Sequence, residues 1–510
     1  MKRLLIVLLL IPSLASAFQE FYVQANGSFL NSGQDTNSSP KYTSTAGNGT
    51  WVGASTRTYT PADGSNPSAS GVIVGDYASV YPHGATSTTY IAQVTNVATG
   101  VNGTITLSGT AFCGASPGNS STMDINIGGA QKIPTTGSLG PFFVLAQVNQ
   151  LANTGTFGTS IPVRINCKND AVYTVTSLTN AGTNTSGQYL TYQGYTTTPG
   201  DGGRAVVDGG TSGTSYVLWN VPNNLTILID WEFRHNGATG GPVSGLAVFQ
   251  DTIVRRVVVH DVTGTCFDNQ GANSLFLEDE AYNCNSANST VNGGFKHITS
   301  FSYFIRCISH NNNGYGFRIL NGDLMLNSIA HSNTGAGIEG FWNAPNPTFV
   351  LNCDSYNNGS GLKGGPSAGA VPPYVLIDNT NFVKNTGWGI DLVGTSPNTI
   401  FVGSTDNNGF GSGTMANGSG NTTNMSYVGI NQGTNAVTVN YPANQTPWFA
   451  PNTGDFRINN PAANFAGFAY FFETAPSYSG SLGFPDIGAV QSKTGLNGTF
   501  SKESSGSFSR

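Results

Sequence analysis

The sequence predicts an all-β solenoid that winds one β-rung per repeat. Three observations carry this: helical periodicity is missing over ten or more residues almost everywhere, the composition is poor in charge and rich in small turn residues, and short apolar strands recur every 21 to 28 residues. Of 510 residues, 67 are Gly and only 9% are charged, with net charge −6, against a usual charged share of about 25%. A nucleic-acid binder needs basic patches, which are absent. An 11% aromatic content argues against a disordered tail protein. The Gly residues follow no three-residue period, which excludes collagen.

Lys2-Arg3, the apolar run Leu4 to Leu10, Pro12 and Ala15-Ser16-Ala17 read as a secretory signal peptide cleaved near Ala17. The run is far shorter than the ~20 residues a membrane span needs, and nothing later is apolar enough. An extracellular or cell-surface location is therefore expected. Cys113, Cys167, Cys266, Cys284, Cys307 and Cys353 suit an oxidising compartment and show no zinc-ligand spacing. Cys113 and Cys167 are a candidate bridge, whereas Cys307 and Cys353 lie two rungs apart, ~9.6 Å, and read as buried thiols.

Residues 18–166 alternate β-prone runs with Gly/Ser/Asn/Thr turns, a β-rich region without a recognisable repeat. From Asn224 onward the repeat aligns on one apolar slot: Phe267, Phe295, Phe317, Ile338, Leu362 and Ile390. Gly recurs just before it, and Asn five before it at Asn312, Asn333, Asn357 and Asn385. Helices disfavour Asn and Gly. Stacked bends favour them, because each Asn amide bonds the Asn above and below and Gly supplies positive φ. A ring column precedes the bend: His260, Tyr282, His310, His331, Tyr356 and Phe382.

Residues 168 to 491 resemble the right-handed parallel β-helix superfamily, the pectate-lyase-like group. Besides the repeat, Gly194 to Gly209 is similar to the segment that opens such helices. Gly454 to Asn459 and Asp486 to Gln491 are similar to the segments that close them. The resemblance implies a right-handed parallel β-helix at 167–441, a C-terminal cap at 442–494 and a polar tail at 495–510. Its members include lyases, hydrolases, adhesins and phage tailspikes, so it implies no single activity. The W-I-D-H motif of pectate lyases is missing, only echoed by Ile229-Asp230-Trp231, and the polygalacturonase motifs are missing too. No family catalytic residue carries over.

Strand alternation sorts the columns. Arg255, Leu277, Ile305, Leu326, Leu351 and Ile377 read as core; Arg256, Glu278, Arg306, Asn327, Asn352 and Asp378 read as outward. One after the apolar slot stand Asp268, Lys296, Arg318, Glu339, Lys363 and Asp391, six charges in six successive coils. They read either as a solvated charge ladder or as a strip for an anionic glycan, because Lys296 and Arg318 are adjacent like charges with no carboxylate between them. Arg256 and Arg306 flank Glu278 as a second charged group. Lys296, Arg318, Glu278 and Glu280 are the catalytic candidates; Glu278 and Glu280 would lie ~6.8 Å apart on one face, near the inverting-glycosidase range. His297 should face inward. No metal is assigned to the site, with calcium as the alternative: it needs six to eight grouped oxygens, and cations separate the carboxylates of the strip. The preferred reading is a secreted β-helix that binds extracellular, acidic polysaccharide. The alternatives are a polysaccharide lyase or glycoside hydrolase with a divergent site, and a tailspike-like fibre forming a homotrimer.

Overall fold

The computed structural model describes most of residues 19–132 and 163–392, with 401–404, 409–411, 439–440, 448–450 and 455–458. The expected signal peptide, the polar tail and most of the expected cap lie outside the described residues. Within the cap region, strands Trp448–Ala450 and Asp455–Ile458 pair antiparallel. Every regular element described is a strand. The chain divides into two compact units, Met1–Asp208 with Asn220–Glu232, and Gly209–Trp219 with Phe233–Arg510.

The first unit contains a closed antiparallel barrel of strands Tyr42–Val52, Thr58–Thr60, Ile105–Cys113, Tyr90–Val97, Tyr77–Pro82 and Ser120–Ile127, in that order around the wall. Alternating residues fill it, among them Trp51, Tyr59, Val80, Tyr90 and Ile125. The buried Tyr59 hydroxyl lies 3.0 Å from Ser44 Oγ and 3.2 Å from the Met123 carbonyl, so the core carries its polar atom satisfied. Closure leaves the barrel no free edge. Gln19–Gln24 lies outside it and pairs in parallel with Val163–Lys168, which pairs with Leu190–Tyr195, which pairs with Thr226–Ile229. The solenoid thus starts before the barrel, and the expected boundary at 166/167 falls inside a strand. At the start of this stack the Asp201 carboxylate accepts from the N–H groups of Thr196, Thr197, Thr198 and Gly203. Partial burial alone would raise this carboxyl, but the N–H donors of Thr197, Gly203, Thr196 and Thr198 hold it below its ordinary value.

In the second unit each coil contributes one strand to each of three parallel sheets. The first sheet runs from Ile253–Arg255 through Leu275–Leu277, Tyr303–Ile305, Leu324–Leu326 and Thr348–Leu351 to Tyr374–Asp378. The second runs from Val258–Val262 through Glu280–Cys284, Ile308–His310, Ile329–His331 and Asp354–Tyr356 to Asn381–Val383. The third runs from Leu246–Val248 through Phe267–Asn269, Gly293–His297, Tyr315–Ile319, Ala336–Phe341 and Ser360–Gly365 to Ile390–Leu392. This is a right-handed parallel β-helix, the hand that parallel crossovers take.

The apolar slot faces inward as predicted: Phe267, Phe295 and Phe317 stack with centroids 4.5 and 4.8 Å apart. On the first sheet the inward column is Val254, Phe276, Phe304, Met325, Val350 and Ile377, all fully buried. The innermost column is therefore displaced by one from the expected one: Ile377 belongs to it, Leu277, Leu326 and Leu351 flank it and are buried as expected, and Arg255 and Ile305 flank it half-buried. The displacement has a backbone cause. Arg256, Glu278, Arg306, Asn327 and Asn352 are not strand but single left-handed residues, φ 51 to 63°, that turn the chain from the first sheet to the second. Alternation counted across that bend slips by one. Asp378, expected in the bend column, pairs instead with Leu351.

The second bend holds the amide ladder. Asn312 Nδ2 donates to Asn333 Oδ1 at 2.8 Å, Asn333 Nδ2 to Asn358 Oδ1 at 2.9 Å, and Asn358 Nδ2 to Asn385 Oδ1 at 3.2 Å. Its third member is Asn358 and not Asn357, which is the exposed left-handed residue at φ 53°. One rung earlier Cys284 takes the slot: its N–H donates to Asn312 Oδ1 at 2.9 Å and its sulfur is bonded to Cys266. Cys167, Cys307 and Cys353 are buried free thiols, so no Cys113–Cys167 bridge forms. The rings of His260, Tyr282, His310 and His331 stack at 4.5 to 5.1 Å. Val383 rather than Phe382 continues the column beyond Tyr356, and Phe382 points into the core.

Two measurements test this layout. Asn358→Ala strands buried donors and acceptors on both neighbouring rungs and should cost about 3 kcal/mol. Asn357→Ala removes a left-handed preference and one exposed hydrogen bond to Ser332 Oγ, 3.4 Å long, and should cost about 1 kcal/mol; denaturant midpoints compare them. Burial, and then the His310 ring, push the His331 imidazole down to about 4 from 6.5, against a weaker opposing pull from Glu280. The unfolded chain then binds the proton more readily between those values, so stability falls as pH drops from about 6.5 to about 4, by up to about 3 kcal/mol. His331→Phe keeps a ring in the stack and should flatten that part of the melting-temperature profile.

Candidate functional site

On the third sheet, an inward Phe, Ile or Leu in every coil forces the next residue outward. The predicted charged column is therefore real in the register: Asp268 pairs with Lys296, Lys296 with Arg318, Arg318 with Glu339, Glu339 with Lys363, and Lys363 with Asp391. The side chain of Asp391 lies outside the described residues. Lys296 Nζ is 3.5 Å from Asp268 Oδ1, and Arg318 Nε is 4.0 Å from Glu339 Oε2. Each cation thus turns to a carboxylate on its outer side, and the two cations stay neighbours one rung, ~4.8 Å, apart. Lys363 is exposed; Lys296, Arg318 and Glu339 are half-buried.

Burial raises the Glu339 carboxyl, and the opposing pull of Arg318 and Lys363 does not cancel that rise. Tyr315, three residues before Arg318 on the same strand, is buried among these groups. Burial drives its phenol up, Thr265 hydrogen-bonds it, and it feels the charges of Arg318, Glu339 and Asp268. Sequence reasoning missed Tyr315. The available signal was one large ring among the small residues Asn313-Gly314 and Gly316.

The second charged group is built differently from the expectation. Glu278 lies in the bend, with Arg306 Nη2 2.7 Å from Oε1 and Arg255 Nε 3.7 Å from Oε2. Arg255 is thus an ion partner on the preceding rung, and Arg256 holds the bend position one rung before Glu278, in the column the sequence predicts. Glu280 is on the following strand, bonded to His310 Nε2 at 3.0 Å. The expected carboxylate pair on one strand face does not form, because the left-handed turn at Glu278 breaks the alternation. Asp279 between them is buried and accepts from the N–H groups of Val257 and Leu277. His297 faces inward as predicted and is fully buried, 2.8 Å from Asp323 Oδ2 and 2.8 Å from Thr299 Oγ1. In Ile229-Asp230-Trp231, Asp230 is buried at φ 60° and Trp231 Nε1 donates to the Tyr192 carbonyl; both are structural. Among the described residues, no three His, Cys, Asp or Glu side chains converge on a metal position.

Chemically, the strip offers two adjacent cations for carboxylate or sulfate groups, and beside them two proton carriers, Glu339 and Tyr315. No family model and no curated protein sequence matches the chain. Among solved structures, the pectate lyase Pel9A is similar at 16% identity over 64% of this chain and 87% of that one, with a TM-score of 0.40. The catalytic domain of a GH87 α-1,3-glucanase is 10% identical over 74% of this chain and 91% of its own, TM-score 0.31. The A-module of the mannuronan C-5 epimerase AlgE4 of Azotobacter vinelandii is 14% identical over 49% and 85%, TM-score 0.29. The chain is a right-handed parallel β-helix protein on the strength of its own three stacked parallel sheets.

Proposed function

We propose that this protein is exported and binds an extracellular acidic polysaccharide laid along the outer face of the third sheet. The observation that supports it is the in-register column from Asp268 to Asp391, with Lys296 and Arg318 adjacent. A pure charge ladder gains by alternating signs; two neighbouring cations gain when an anionic group sits across them. Retention of the mature protein on an immobilised polyuronate should be salt-sensitive. Lys296→Ala and Arg318→Ala should each weaken it about tenfold, the loss of one charge-assisted contact. Retention that ignores both substitutions sinks the proposal.

Protonation should tune this binding. With Glu339 ionised, the column from Asp268 to Asp391 sums to zero; with Glu339 neutral it carries one net positive charge. Because the Glu339 carboxyl is raised, this gain begins at higher pH than for an ordinary glutamate. Retention should therefore strengthen as pH falls from neutral, and Glu339→Gln should be tight at neutral pH and flat below it.

A catalytic reading of the same strip is favoured by one observation, the raised carboxyl of Glu339 and the phenol of Tyr315 beside the two cations. There the cations would neutralise a uronate carboxylate, the ionised Glu339 carboxylate would take the proton from the adjacent carbon, and the glycosidic C–O bond on the next carbon would break, its oxygen leaving with a proton from water. An unsaturated product absorbing in the ultraviolet identifies a lyase, and new reducing ends without that absorbance identify a hydrolase.

A further inference from the structure

Among the described side chains of the strip, Asp268 is the one that is nearly closed off, 6% exposed. Its two oxygens are treated differently. Oδ2 has two donors, Ser244 Oγ at 3.0 Å and Gln270 Nε2 at 3.0 Å. Oδ1 is buried and accepts no hydrogen bond. Lys296 Nζ lies over it at 3.5 Å, beyond hydrogen-bond length, and the partner of Asp268 on the preceding rung is Ala247, which has no side-chain donor. Buried carboxylate oxygens normally accept hydrogen bonds, and an exception calls for an explanation. Lys296 has a flexible stem and a half-buried ammonium, so it can turn from Oδ1 towards an incoming anion.

We propose that Asp268 and Lys296 form a two-point subsite that reads a uronate carboxylate together with a free hydroxyl of the same glycan. The inference rests on the acidic-polysaccharide reading above. The glycan carboxylate draws the Lys296 ammonium outward, Oδ1 is uncovered, and a sugar O–H donates to it. Ser244 and Gln270 fix Oδ2, so the acceptor lone pairs of Oδ1 are preset in direction before the glycan arrives. No bond is made or broken; the pair exchanges one partner for another. A glycan whose hydroxyls are capped by O-acetyl groups keeps the charge and lacks the donor. Sites built around a hydroxyl reject analogues without it far more strongly than apolar pockets reject a missing methylene.

The test uses one polyuronate preparation, half of it O-acetylated and half not, in binding titrations with the full-length mature protein. Wild type should bind the unacetylated polymer at least about tenfold more tightly. Asp268→Asn, which replaces the acceptor at Oδ1 by an N–H donor, should bind both forms with nearly equal, weakened affinity and melt within a few degrees of wild type. Equal binding of the two polymers by wild type overturns the inference and leaves the acidic-polysaccharide reading intact. Undiminished discrimination by a folded Asp268→Asn protein overturns it as well. Failure of wild type to bind either polymer overturns the acidic-polysaccharide reading, and this inference with it. The wild-type comparison needs no substitution, so a variant that does not fold leaves the test decisive.

Discussion

Stacking at one rung per turn imposes a constraint on this protein: a polar group inside a bend must find part of its hydrogen bonding in the coil above or below. The Asn312–Asn333–Asn358–Asn385 ladder is the clearest expression of that constraint. Each Oδ1 accepts both the backbone N–H and the side-chain amide of the preceding member. A bend that turns away from the sheets would otherwise bury unpaired donors. The first bend solves the same problem with single left-handed residues, and the column that follows it, from Val257 through Asp279, Cys307, Ser328 and Cys353 to Thr380, is buried. Asp279, Ser328 and Thr380 bond backbone N–H groups of the coil before them.

Much of this was legible in the sequence, and the misses share a cause. The inward slot from Phe267 to Ile390 and the charged column beside it were read correctly, because they lie within one strand, where period two holds. The displaced column at Leu277 and Leu326, the exchange of Asn357 for Asn358, and Phe382 in place of Val383 all lie across a bend. There one residue in left-handed conformation, or one residue fewer in a turn, changes the phase without changing the composition. The start of the solenoid at Gln19 was illegible for another reason: two rungs separated by more than a hundred residues show no period. Tyr315 and the pairing of Glu278 with Arg255 depend on side-chain placement that spacing does not encode.

The strip on the third sheet differs from the other charged groups in how it is satisfied. Glu278 sits between two guanidinium groups and Glu280 on an imidazole, each arrangement closed within the chain. Along the strip the pairs are 3.5 and 4.0 Å, none as short as Arg306 to Glu278 at 2.7 Å or His310 to Glu280 at 3.0 Å, and they leave like charges side by side. Loose pairs in a half-buried setting contribute little to stability. This contrast, more than the number of charges, is what sets the strip apart from the other charged groups.

The barrel between Gln19–Gln24 and Val163–Lys168 has a consequence for how the protein is made. A ribosome delivers the first strand of the solenoid long before its parallel neighbour exists, whereas the barrel needs nothing beyond Ile127 to close. Closing a long loop costs entropy that grows only slowly with its length, and a barrel already folded shortens the floppy contour that remains. Synthesis order therefore favours barrel first and rungs afterwards. Until Val163–Lys168 arrives, the early strand presents an unpaired edge, and translation speed through residues 128 to 168 sets how long that edge stays open to other chains.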